Sequence, residues 1–231
     1  MKISKKGCDL NSCFFCRGCL PEWQAAIASN KITYSIKKGE LIFREGDPVT
    51  GIYFLDSGLA KVHKQWGTEK ELILRFAKDG DIIGHRGLGN ESIFPVSATA
   101  LEDSSACFIP LDFFLTTLKV NHAFTYDLMM FYARELQESE RKMRNLVHMP
   151  VKGRLAYTLL FLEGKFGTNG GGLININLSR ADIASFAGTT YETVFRIFQE
   201  FIAAKLIDTD GKMIRILQPE TLRELVNSQM A

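Results

Sequence analysis

The stretch Leu178–Arg196, LSRADIASFAGTTYETVFR, spells two short capped helices joined by a tight turn. Ser179 stands three residues before Asp182, an N-cap with an acid at the third helical position. Thr189 stands three residues before Glu192, a capping box of the Thr-x-x-Glu kind. Gly188 closes the first helix, because glycine enters left-handed backbone at low cost. In the second helix Val194, Ile197, Phe198, Phe201 and Ile202 recur at helical spacing, so one face must be buried. The other face carries Glu192, Phe195, Arg196 and Gln199. A helix gripped by its back, with polar tips outward, suits the major groove of double-stranded DNA, where base edges differ in donors and acceptors.

Working outward, Leu206–Ile216, LIDTDGKMIRI, reads as a hairpin with an Asp210-Gly211 turn. A helix-turn-helix followed by a hairpin is a winged helix. Upstream, Ile174, Ile176 and Leu178 alternate like a half-buried strand, and Val151–Phe166 reads as a helix. Met149-Pro150 ends a longer helix, about 121–148, that contains neither Gly nor Pro. Along it Thr125, Met129, Tyr132, Leu136, Ser139, Met143 and Leu146 form a heptad seam. Phe124, Leu128 and Phe131 make a second stripe. Two stripes predict two partners, the helix's own domain and the same helix of a second subunit; a single broad core face in a monomer is the alternative.

Before the long helix, from Ile32 to about Thr117, short apolar segments alternate with turn residues at Lys38-Gly39, Glu45-Gly46-Asp47 and Asp79-Gly80. This pattern predicts an antiparallel β-roll or jelly roll. The fold class is therefore α+β, with a cysteine-rich arm (1–22), a β-roll (23–120), a dimerisation helix (121–149) and a winged helix (150–231).

The 231 residues carry a net charge of only +2, so any basic surface must be local. No apolar run approaches a membrane span or a signal-peptide core, so a cytoplasmic protein is expected. Its five cysteines then read as free thiols or metal ligands. Cys8, Cys13, Cys16 and Cys19 crowd the first 19 residues. Thiolates at such intervals can hold an iron–sulfur cluster; a zinc site and an arm without metal are the other readings. A cupin-like barrel enzyme would need clustered ligands, but His63, His85, His122 and His148 are scattered. The chain is read as no enzyme.

The order of β-roll, long helix and winged helix resembles the CRP/FNR family of bacterial transcription regulators. The resemblance spans about 30–225 and rests on Gly39–Asp47 (GELIFREGD), Gly51–Gly58 (GIYFLDSG), Gly80–Gly84 (GDIIG) and Leu178–Phe198. It implies a homodimer on a palindromic operator, contact with RNA polymerase, and an effector or redox signal sensed in the N-terminal domain. It also implies that Glu192 and Arg196 contact bases. Arginine can donate twice to guanine, and glutamate can accept from cytosine; the two could instead pair with each other. Phe195 either touches a thymine methyl group or packs under the wing. Ser179, Arg180 and Thr190 are candidates for phosphate contacts, or plain caps and solvated residues.

In the oxygen-sensing branch that the chain resembles, three N-terminal cysteines and a fourth before the long helix hold a cluster. That implies Cys13, Cys16 and Cys19 with Cys107, Cys8 being the alternate. The spacing departs from the family's, whose last arm interval is longer, and Cys107 alone reads as a small buried hydrophobe. Cyclic-nucleotide-binding relatives place a glutamate after the glycine of the GDxxG turn, and an Arg-Ser pair farther on. Here His85 follows Gly84 and Val96 precedes Ser97, with Arg86 a nearby substitute cation. This argues against cyclic AMP and for another small effector near His85, Arg86 and Ser97. His85 is read alternatively as a surface residue beside a loop. A cyclic-nucleotide module without DNA binding is the remaining alternative.

Overall fold

The computed structural model describes residues 1–4, 13–67, 70–89 and 91–227. Two compact units divide the chain at Leu136/Gln137.

The first unit begins with β1 (Lys2–Ile3), α1 (Phe14–Gly18) and α2 (Gln24–Asn30). Its remaining strands are β2 (Ile32–Ile36), β3 (Leu41–Phe43), β4 (Gly51–Ser57), β5 (Ala60–Trp66), β6 (Lys70–Ala77), β7 (Ile82–Ile83), β8 (Ser97–Ala100) and β9 (Ser104–Pro110). These form two antiparallel sheets, ordered β1-β2-β9-β4-β7 and β3-β8-β5-β6. The glycine turns predicted from sequence hold: Gly39, Gly46 and Gly80 all have φ between +82° and +88°, a conformation costly for any side chain. Ile36, Ile52, Phe54, Leu55, Ala60, Ala98 and Ala106 fill the interior. β4 is buried without a break from Gly51 to Leu55, so side chains on both faces of that strand are covered.

The cysteine-rich segment is more structured than its sequence suggests. Phe15 of α1 is fully buried, its ring 5.0 Å from Phe54 and edge-on to Phe124 at 5.1 Å. Burial of such a ring stabilises by roughly 1.5–3 kcal/mol, which ties residues 13–19 to the β-roll. Cys8 lies outside the described residues.

After α3 (Leu111–Val120) comes α4 (His122–His148), the predicted long helix. Phe124 and Leu128 are buried and Phe131 packs against the same core, so the second stripe faces its own domain. Two residues of the expected heptad seam turn to their own domain. Tyr132 donates from Oη to the His85 carbonyl at 2.5 Å, and Thr125 Oγ1 donates to the Leu118 carbonyl at 2.6 Å; both point homeward. Met129, Leu136, Ser139, Met143 and Leu146 are exposed, as are Tyr126, Ala133, Glu140 and Val147 beside them.

The second unit contains the end of α4, then α5 (Val151–Phe166), α6 (Arg180–Ala187), α7 (Tyr191–Ala203), β10 (Ile207–Asp210), β11 (Met213–Ile216) and α8 (Pro219–Asn227). The alternation at 174–178 does not become a strand: Thr168–Ile174 and Leu173–Arg215 are isolated bridges. Ile174 and Leu178 are buried under the helices instead. In the wing, Asp210 pairs with Met213, so Gly211-Lys212 is the two-residue loop rather than Asp210-Gly211. Gly211 takes φ +59°, as the first position of a II′ hairpin requires. No helix among the described residues is long and apolar enough to cross a membrane.

Candidate nucleic-acid interface and sensor region

The first cap of the helix pair forms as read. Ser179 Oγ accepts from the Asp182 N–H at 3.0 Å, and the Asp182 carboxylate accepts in return from the Ser179 N–H and hydroxyl. Gly188 ends α6 in left-handed backbone, φ +64°. The second cap is displaced: Thr190, not Thr189, accepts from the Thr193 N–H. Thr189 donates its N–H to the Ala184 carbonyl, because the turn after Gly188 is one residue longer than the sequence pattern implied.

Val194, Ile197, Phe198 and Phe201 of α7 are buried, whereas Glu192, Phe195 and Arg196 stand outward; Arg196 has 65 % of its side chain exposed. Phe195 is exposed and does not pack under the wing. Glu192 and Arg196 do not pair. The Glu192 carboxylate is held below its ordinary range by its own N–H and the Thr190 hydroxyl. Arg196 Nη1 instead donates to Glu200 Oε1 at 2.6 Å, and Lys152 Nζ donates to Glu200 Oε2 at 2.9 Å. Arg180 turns from open solvent: its guanidinium lies 4.6 Å from the Phe198 ring and donates to the Lys212 carbonyl of the wing loop at 3.2 Å. The Ser179 and Thr190 hydroxyls are engaged as caps. Sequence reasoning passed over Tyr191, which is exposed one helical turn before Phe195 on the same face. Its i, i+4 spacing was the available signal.

Arg154 of α5 fastens this head together. It donates to the Ala187 carbonyl at 2.9 Å, the Gly188 carbonyl at 3.1 Å and the Met149 carbonyl at 2.7 Å. A side chain at Gly188 would also run into Leu146 of α4.

The sensor residues are distributed differently from expectation. His85 is no surface residue; it is 2 % exposed, edge-on to Phe131 and Tyr132 at 5.0 and 5.4 Å. Among the described residues neither ring nitrogen has a hydrogen-bond partner. Burial, then the charges of Arg75 and Arg86, pushes its imidazole well below the usual histidine range. Arg86 is not a spare cation for an effector. Its Nη2 donates to Glu135 of α4 at 2.8 Å, and Arg75 Nε lies 3.5 Å from the same carboxylate. The space beside Gly84 is lined by Phe43, Tyr53 and Phe94, with Phe43 and Phe94 stacked at 4.2 Å. Ser97 lies apart from His85 and Arg86, in an open pocket of about 500 Å³ with Leu41, Arg44, Glu45, His63 and Gln65. Its hydroxyl accepts from the Glu45 N–H at 2.9 Å.

Cys13, Cys16, Cys19 and Cys107 are all buried in one core. Burial, with the charge of Cys13 nearby, pushes the Cys19 thiol up to about 12. No three His, Cys, Asp or Glu among the described residues meet to hold a single metal ion. The donor chemistry suits a thiophilic group: two close buried thiols lose their protons readily only if a cation offsets both charges.

A β-roll followed by a winged helix with an outward polar reading face defines a two-domain DNA-binding protein. Residues 34–121 match the cyclic nucleotide-binding domain and residues 153–225 the Crp-like helix-turn-helix domain. The transcriptional activator protein Anr of Pseudomonas protegens is 31 % identical over 197 residues, covering 84 % of this chain and 80 % of the relative. The anaerobic regulatory protein of Bacillus subtilis is 32 % identical over 184 residues, covering 78 % and 77 %. Among solved structures, FixK2 from Bradyrhizobium japonicum superposes with a TM-score of 0.76 at 23 % identity, covering 84 % of this chain and 96 % of that one. The chain belongs to the CRP/FNR family of DNA-binding transcription regulators. It is a regulator rather than an enzyme.

Proposed function

We propose that the chain binds a palindromic operator as a homodimer, with α7 of each subunit in the major groove. Glu192, Arg196 and Phe195 face bases, while Ser179, Arg180 and Thr190 lie along the phosphate side. The observation that carries this reading is the division of α7 into a fully buried back and an exposed Glu192–Phe195–Arg196 face. The subunits pair along α4 at Met129, Leu136, Ser139, Met143 and Leu146, the members of the heptad row that stay exposed in the single chain. The regulator works in the cytoplasm and meets RNA polymerase at the promoter. Arg196→Ala should weaken operator binding by about 1–3 kcal/mol, the worth of a bidentate base contact, while equilibrium sedimentation still gives a dimer. Unchanged operator affinity would remove Arg196 from the reading face.

Two relatives bear the name anaerobic regulatory protein, which supports anaerobic regulation as the input. Cys13, Cys16, Cys19 and Cys107 would be the holders of an iron–sulfur cluster, which would supply oxygen- or redox-sensitive ligation beside the long helix. The shared core and the Cys13–Cys19 proximity support this assignment. Anaerobic reconstitution should yield brown protein containing iron and sulfide; colourless, iron-free protein would reject it. For a small effector, the crowding beside Gly84 and the engagement of His85 and Arg86 argue against cyclic AMP. Calorimetry with cyclic AMP should give no binding heat.

A further inference from the structure

Glu200 stands one helical turn beyond Arg196, and its two carboxylate oxygens are divided between two cations. Oε1 takes Arg196 Nη1 and Oε2 takes Lys152 Nζ, which reaches across from α5. Lys152 is itself steadied, 5.8 Å from the Phe201 ring on the buried side of α7. The arginine is thus tied through Glu200 to a second helix, whereas the Glu192 carboxylate is held only by its own N–H and the neighbouring Thr190 hydroxyl. A guanidinium has five N–H donors. With Nη1 engaged, the Nη2 and Nε edge remains to meet guanine O6 and N7, the bidentate pattern that reads this base.

We propose that Glu200 is a positioning residue for base recognition, holding the Arg196 guanidinium in the orientation that presents two donors to guanine. This rests on Arg196 reading a base. Exposed ion pairs contribute little to stability, so the effect falls on discrimination rather than on folding. A flexible arginine can find a phosphate on any sequence; a braced one is kept for the base edge. Glu200 also places a negative charge near the DNA backbone, which opposes sequence-independent attraction. The two roles have opposite signs, and that separates them by experiment.

Operator sites are selected from a random duplex library with the full-length wild-type protein. Base preferences are then measured by competitive binding for wild type, Arg196→Ala, Glu200→Gln and Glu200→Asp. The position whose preference disappears in Arg196→Ala is the one Arg196 reads. At that position Glu200→Gln should reduce discrimination by about twofold to fivefold, a fraction of the full bidentate contact, while binding of mixed-sequence DNA rises. Glu200→Asp keeps the charge but loses the reach; it should show the same loss of discrimination with mixed-sequence binding unchanged. Discrimination unaltered in both Glu200 variants overturns the inference. So does sharper discrimination in Glu200→Gln, which would mean that the carboxylate competes with the base. If Arg196→Ala leaves every preference intact, the reading of Arg196 itself fails, and the brace with it.

Discussion

The reading helix and the turn at His85 both carry charged side chains that the sequence marks as available, yet only one of them keeps those side chains in solvent. In α7 the buried back is complete within the helix's own unit, so Glu192 and Arg196 are left outward. At the turn, Arg86 is claimed by Glu135 from 49 residues away, and His85 is sealed beneath Phe131 and Tyr132. Helical periodicity fixes which face is free, because the face is set locally. A side chain on a turn has no such rule; its fate depends on which distant element packs over it.

The sharpest way to break this comparison is Glu135→Ala. The carboxylate offsets Arg86 and Arg75, and Arg75 is buried with Asp81 as its other acidic partner at 3.2 Å. Removing one member of a buried charge cluster costs about 3–5 kcal/mol; the remaining Asp81 and partial exposure reduce this to roughly 2 kcal/mol. Urea denaturation of the variant should show this loss, and a value near zero would mean that the cluster is solvated rather than buried.

A pH series sharpens it further. His85 stays neutral in the folded protein, facing Arg75 from β6, its neighbour Arg86, and Glu135 from α4. Unfolded, it takes up a proton near its ordinary pKa of about 6.5. The unfolded state therefore binds more protons as pH falls below that value, and stability drops by up to about 1.4 kcal/mol per pH unit. His85→Phe should flatten this limb of the curve; an unchanged slope would show that another group causes it.

The smallest effect belongs to the reading head. Ser179→Ala removes one half of a reciprocal cap and should cost about 1 kcal/mol, seen as a lower Tm with the base preferences of α7 retained. A change of preference would make Ser179 more than a cap.

The fold was legible where local rules decide it. Turn glycines, the proline break at 150 and the Ser179 cap all follow from backbone chemistry within a few residues. The errors are equally physical. Thr189 and Thr190 are interchangeable as caps until the length of the turn is known. Thr125 and Tyr132 were misplaced on α4 because they are as compatible with a heptad as with hydrogen bonds to the roll. Phe15 carried no periodic signal, since a single turn of helix is too short to display one. At the candidate site, Glu192, Phe195 and Arg196 were readable from helical spacing, whereas the link from Glu200 to Lys152 depends on how α5 crosses α7, which no local pattern encodes.

Pro150 interrupts the main-chain ladder between α4 and α5, and a proline break is commonly pictured as a swivel. Arg154 argues otherwise: by gripping the Met149 carbonyl on one side and the Ala187 and Gly188 carbonyls on the other, it splints the interruption. The last turns of α4 consequently travel with the head as one lever. Torque applied to that shaft would swing the reading helix bodily, with little lost as slack at the joint.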